Sequence, residues 1–242
     1  MATQIGGSVQ IAAQELYTTS AVSLHNLGDK AFSTDGRAFR YVKAGASALV
    51  PGNAIQSPAV VPNHVNLTPT AAAAVGDTSI TVTLGATAAT LNQYEGGYLV
   101  VEIGTTGAGQ TLKIKSNPAA NSSATMRVEL EDAFAVATSG TVTVSLIANR
   151  YNGVIQSPAT TLTGTIVGVA VAAIPAGSFG WVATRGVTAM LCTGTPIVGS
   201  AVGVPTTTAG AAVADSAILT HVGVVAKAGI TAQNTPVDLK LD

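Results

Sequence analysis

Four segments of this chain alternate strictly between apolar and polar residues, and this pattern restricts the possible folds more than any other feature. Ile80, Val82 and Leu84 alternate with Ser79, Thr81 and Thr83, and Leu112 and Ile114 with Lys113 and Lys115. Met126, Val128 and Leu130 alternate with Arg127, Glu129 and Glu131, and Val142, Val144 and Leu146 with Thr143 and Ser145. A period of two belongs to a strand with one buried and one wet face. Turn-forming clusters at 104–109, 117–123 and Ser139-Gly140 separate the runs. No long stretch carries helical periodicity, and residues 86–92 offer at most one short helical turn.

Outside this block the β signal continues in a drier form. Residues 38–42 form a strand candidate with Phe39 and Tyr41 on one face. The near-continuous apolar run 164–173 reads as a buried strand, because it is rich in Val and stops at Pro175. Further candidates at 179–184, 187–192, 201–204, 221–226 and 237–241 are punctuated by glycines, the spacing of a sandwich or barrel. The word Ile55-Gln-Ser-Pro-Ala59 recurs as Ile155-Gln-Ser-Pro-Ala159. Its two copies bracket the alternating block, which reads as a module inserted into a discontinuous domain. The first thirty or so residues are polar and low in large hydrophobes, as in an arm that orders on a partner. The expected fold is therefore all-β. It has an extended N-terminal arm (1–34), a β-sandwich or barrel-like domain (35–65 plus 150–242) and a small exposed β module (66–149).

Charge narrows the function. Charged residues are 10% of the chain and its net charge is −1, where roughly a quarter of residues is usual. From 151 to 214 the single charged residue is Arg185. Long uncharged surfaces associate, so a component of a permanent assembly is expected rather than a solitary enzyme. Nothing provides the basic footprint of nucleic-acid binding, and Arg37, Arg40 and Lys43 read as one solvated strand face. The apolar run 166–174 falls well short of the ~20 residues of a membrane span, so no membrane partner is expected. Residues 1–14 show no secretory pattern, and synthesis in the cytoplasm is expected. The lone Cys192 excludes an internal disulfide framework and reads as a small buried hydrophobe.

No set of residues converges on catalysis. The segment Gly104-Thr-Thr-Gly-Ala-Gly109 imitates a phosphate loop, but Gln110 stands where the phosphate-binding lysine would be and a strand pattern follows. It reads as a turn. His25, His64 and His221 have no neighbouring ligand residues. Glu129 and Glu131 read as a solvated strand face rather than paired acid–base groups. No catalytic residue, cofactor site or metal site is expected.

Three stretches together carry a resemblance. They are Asp35-Gly-Arg-Ala-Phe-Arg-Tyr-Val-Lys-Ala-Gly45, then Tyr94-Glu-Gly-Gly-Tyr-Leu-Val-Val101 with Asn149-Arg-Tyr151, then Ile174-Pro-Ala-Gly-Ser-Phe-Gly-Trp-Val182 with Gly194-Thr-Pro-Ile-Val-Gly199. In this order they resemble tailed-bacteriophage head proteins of the capsid decoration, or cement, type. The resemblance implies a virion protein on the outer surface of the capsid that bridges subunits of the major capsid protein. It implies self-association as a homotrimer, with a dimer as the alternative, and no enzymatic activity. The assembly residues expected on this reading are Ile5, Val9, Ile11, Leu16, Tyr17 and Leu24 in the arm, with Phe179 and Trp181 in the outer domain. The alternative is a receptor- or carbohydrate-binding β module, with Tyr94, Tyr98 and Tyr151 as the available stacking residues.

Overall fold

The structure is a computed structural model that describes residues 9–205, 207–214 and 220–242. Among these residues the regular structure is β throughout, apart from two short 3₁₀ turns at Glu15–Tyr17 and Pro62–His64. In chain order, β1 (Val9–Gln10), β2 (Lys30–Phe32), β3 (Ala38–Ala44) and β4 (Ala54–Gln56) come first. Then follow β5 (Ser79–Thr83), β6 (Tyr98–Ile103), β7 (Thr111–Ser116), β8 (Thr125–Leu130) and β9 (Thr143–Ile147). The rest are β10 (Asn152–Gln156), β11 (Ile166–Ala170), β12 (Phe179–Leu191), β13 (Ala201–Gly203), β14 (Val213–Ala214), β15 (His221–Val225) and β16 (Asn234–Lys240). The chain divides into an outer unit, Met1–Pro58 with Arg150–Asp242, and an inserted unit, Ala59–Asn149. The insertion begins between residues 58 and 59 rather than between 65 and 66. The physical reason is His64, which is buried in the inserted unit, where its ring bonds to Tyr94 and to the Thr87 carbonyl.

In the outer unit, β3, β10, β4, β11 and β12 pair in that order, and β12 pairs back to β3, closing a five-stranded barrel. Its interior is aliphatic and small: Val42, Ala44, Ile55, Val154, Val167, Ala170 and Val182, with Leu49 and Ile174 from the loops. A chain with only 4% aromatics fills a narrow barrel this way, since five strands leave little room for large rings. Strand β12 is 13 residues long and is shared. Its first half pairs with β3 and β11, and its second half, from Arg185 to Leu191, pairs with β16. A register shift between Ala183 and Arg185 marks the change of partner, as bulges do where a strand is re-aimed. From β16 the sheet runs on through β15 and β13 to β14. It closes again onto the end of β12, where Ala212 donates to Leu191 O at 2.7 Å and Thr193 donates to Ala212 O at 2.8 Å. Met190, Val202, Ala212, Val222, Val225, Val237 and Leu239 are buried here. Gly223 in β15 is a required close approach, because a Cβ there would run into the carbonyl of Asp238.

Residues 9–34 do not stand off as an extended arm. β1 pairs in parallel with β2, β2 pairs with β3, and Ile11 and Leu16 are buried. The reason lies on the outside of the barrel. β3 and β12 alternate, so Phe39, Tyr41 and Trp181 point away from the aliphatic interior. That aromatic face needs a cover, and residues 9–34 supply it. Ser20 and Phe179 exchange backbone hydrogen bonds at 3.0 and 2.8 Å, Gly28 donates to Tyr41 O at 2.8 Å, and Tyr41 donates to Asp29 O at 3.0 Å.

The inserted unit is a sheet in the order β5-β8-β7-β6-β9. The alternating runs become β5, β7, β8 and β9, with their apolar residues in one core that includes Val82, Ile114, Met126, Val128, Val144 and Leu146. Residues 67–70 bridge the two edges. Leu67 exchanges bonds with Val144 at 2.8 and 2.9 Å, and Thr70 donates to Thr81 O at 2.9 Å. Neither edge strand is left as an open template, the usual solution to edge association. Residues 86–92 form no helical turn; Ala89 instead bridges Ala120.

Candidate assembly surface

The sequence-derived assembly residues separate by burial. Ile5 lies outside the described residues. Val9 belongs to β1, opposite Ala31. Ile11, Leu16 and Trp181 are buried at 3%, 1% and 3% exposure, so they hold the outer unit together and cannot meet a partner directly. Phe179 is half-buried. Tyr17 and Leu24 are exposed, at 62% and 65%. These two are the described members of the set that present apolar surface outward.

The aromatic group is built by register. Trp181 sits directly opposite Tyr41, and Phe179 opposite Lys43, across the β3–β12 pair. Tyr41 and Phe179 stack with centroids 6.0 Å apart, and Tyr41 meets Trp181 edge-on at 5.0 Å. His25 approaches both Tyr41 and Trp181 at 5.1 Å. The Lys43 ammonium lies 5.5 Å above the Phe179 ring. The group is thus a packed cluster with a polar edge rather than an exposed apolar patch.

Other exposed apolar residues were not singled out from the sequence. Ile197 and Val198 follow Pro196, and Ile230 follows Gly229; all three are more than half exposed. The two loops are tied together where Gly229 donates to the Pro196 carbonyl at 2.8 Å. Val187, on β12, is also half exposed. The signal for the first pair was the placing of two β-branched residues inside a turn bounded by Pro196 and Gly199, where polar residues are usual.

The basic cluster is engaged rather than merely solvated. Arg40 donates to both carboxylate oxygens of Asp242, at 2.9 and 3.0 Å, and to the Gly28 carbonyl at 2.8 Å. Asp242 also accepts from the Thr184 hydroxyl and lies 3.6 Å from Lys30. The Arg40 hydrogen bond, helped by Thr184 and Lys30, holds the Asp242 carboxyl down at about 2. Arg37 pairs with Asp35 at 2.8 Å. The Asp35 carboxyl is also held at about 2, first by the Ser33 hydroxyl and then by Arg37.

Gln110, Glu129 and Glu131 are each held by contacts within the inserted unit. Gln110 clamps its loop: its Oε1 accepts from Ala135 and Val136 N–H, and its Nε2 donates to Gly107 O and Val136 O. Glu129 pairs with Arg127 at 2.7 Å and Glu131 with Lys113 at 3.0 Å. Among the described residues no three His, Cys, Asp or Glu side chains group as a metal site would need. Cys192 is buried, and burial pushes its thiol up. Of the three candidate stacking tyrosines, Tyr94 is sealed in the inserted core, Tyr98 is about half exposed, and Tyr151 belongs to the outer unit with arginines above its ring.

The repeated word has a shared structural task. Ile55 and Gln56 lie opposite Gln156 and Ile155 in the β4–β10 pair, so the two copies face each other antiparallel. Each serine then caps a backbone donor: Ser57 Oγ accepts from Thr165 N at 3.0 Å, and Ser157 Oγ from Gly210 N at 3.1 Å. No protein-family model, no curated protein and no solved structure matches the chain.

Proposed function

We propose that this chain is a non-enzymatic structural protein that decorates a phage head, bridging subunits of the major capsid protein from the outer surface of the virion. The supporting observation is the outer unit's surface. Residues 151–214 carry only Arg185 as a charge, yet expose Val187, Ile197 and Val198. Such a surface is poorly suited to solitary life in water and well suited to a wide, uncharged contact. Its five-stranded barrel is closed, which leaves no barrel edge for strand addition. The chain self-associates on this reading as a homotrimer.

The test is co-sedimentation of the purified protein with undecorated heads assembled from the major capsid protein of the phage that carries it. Saturable binding that is lost on Ile197→Asp combined with Val198→Asp is the expected result. Both residues are exposed, so the fold tolerates the change. Heads that take up no protein at saturating concentration overturn the proposal. Glycan-array binding without head binding replaces it with the ligand-binding alternative.

A further inference from the structure

An open cleft of about 1140 Å³ lies on the outer unit, between β12, β15 and β16 and the turn at residues 35–37. Arg185 and Lys240 both line it, and both are exposed. They stand directly opposite each other in the β12–β16 pair, so their side chains leave the sheet on one face with Cβ atoms about 5 Å apart. Like charges in that arrangement repel and weaken the pair, and an anion between them would reverse the effect. The acids nearby do not supply one. Asp242 is engaged by Arg40 and Lys30, and Asp35 by Arg37. Asp238 stands opposite Val187, and among the described residues it forms no ion pair with either cation. Val187 and Val224 give the same cleft apolar wall.

We infer that this cleft receives the end of β6 from a second copy of the chain, with Glu102 between Arg185 and Lys240 and Ile103 against Val187 and Val224. Charge selects the occupant. Residues 59–149 hold six acidic and three basic side chains, a net −3, and the rest of the chain holds six acidic and eight basic, a net +2. Within the inserted unit Asp77, Glu129 and Glu131 are already engaged. Glu102 is exposed and in no ion pair among the described residues. The bulge after Val101 turns Ile103 outward beside it, at 56% exposure. Glu95 and Asp132 have no large exposed hydrophobic residue next to them. An acid beside a β-branched side chain is the complement of a cleft with two cations and two valines. From Glu102 to Gln110 the chain carries no other charge. Gln110 clamps this segment to the backbone of Val136, so little order is lost on docking. The contact joins two different surfaces and is therefore head-to-tail, the kind that closes into a ring when the rotation allows. The inference rests on the proposed self-association and not on head binding.

The test is charge reversal in the full chain, read as mass by size-exclusion chromatography with light scattering. One variant combines Arg185→Glu with Lys240→Glu; the other is Glu102→Lys. All three positions are exposed, so the fold tolerates the changes, and circular dichroism should match the parent. The parent is expected to run as an oligomer. Each variant alone is expected to associate at least about tenfold more weakly and to run as a monomer. Mixed in equal amounts, the two variants are expected to bind each other and co-elute, because opposite charges face each other again. A variant that had merely lost its structure would not be rescued in this way. A monomeric parent overturns the self-association and the inference with it. An oligomeric parent whose mass neither reversal changes overturns the inference alone, and so do two monomeric variants that fail to bind each other.

Discussion

Asp242 is the most heavily engaged carboxylate among the described residues of the outer unit, and its chemistry gives a pH dependence. Arg40, first among its partners, holds the carboxyl at about 2 rather than the ordinary 3.8. A group depressed on folding contributes stability that is fully present above its unfolded value and is lost as pH falls through its folded value. The loss therefore runs from about pH 4 down to about pH 2. Replacing Asp242 with Asn should cost about 1–2 kcal/mol at neutral pH, at the low end because solvent reaches the pair. It should also flatten the acid limb of a urea-denaturation series. Asp35 titrates over the same window but is more than half exposed, so Asp35→Asn should leave that limb nearly unchanged. Equal flattening by both variants would remove Asp242 from this role.

Buried rings supply two more residue-scale predictions. The Thr87 carbonyl can only accept, so His64 Nε2 donates to it, and Nδ1 is hydrogen-bonded to the Tyr94 hydroxyl. Tyr94→Phe strands that nitrogen at 0% exposure and should cost about 1–3 kcal/mol, read from the unfolding midpoint. Trp181→Ala empties the centre of the aromatic group and should cost about 3–5 kcal/mol, followed by circular dichroism because no tryptophan remains. A Trp181→Ala protein as stable as the parent would mean that the ring is not packed as described.

At the scale of elements, the N-terminal segment decides between two pictures. An arm awaiting a partner could be cut away without loss of stability. A cover over Tyr41, Phe179 and Trp181 could not, since Leu16 alone is worth about 2–5 kcal/mol where it is buried. Truncation to begin at Lys30 is expected to lower the thermal midpoint and raise binding of a hydrophobic dye. The sequence could not show this cover, because Ile11, Leu16 and Ala31 carry its burial with Leu27 partly buried, and so few widely spaced apolar residues among polar neighbours set up no period. The four strands with clean alternation were legible from pattern alone. β6 shows no clean alternation, since Val100 is apolar on the wetter face and a bulge after Val101 turns apolar Ile103 outward as well, hiding the period around buried Leu99 and Val101. The placing of Trp181 at an interface failed for a related reason. A strand pattern shows which residues share a face but not what covers that face, and here the cover comes from more than 150 residues earlier in the chain.

For the whole molecule, the insertion point decides whether the two units fold independently. β4 ends at Gln56 and β10 starts at Asn152, and the two are hydrogen-bonded neighbours in the outer unit. The chain therefore leaves the barrel and returns to it on adjacent strands, as a tolerated insertion requires. Each unit buries its own core, and in each a ring of backbone bonds closes without help from the other. Two consequences follow. Residues 59–149 expressed alone should unfold cooperatively in urea. The outer unit, with Pro58 joined to Arg150 by a short glycine–serine linker, should keep its barrel, seen as retention of the Trp181 indole resonance at its parental position. In the intact chain the two should melt as separate steps unless their stabilities coincide, and Tyr94→Phe should move only the step of the inserted unit. A single transition shifted as a whole by Tyr94→Phe, together with an outer unit that fails to fold alone, would show that the insertion is a structural part of the barrel rather than a module carried by it.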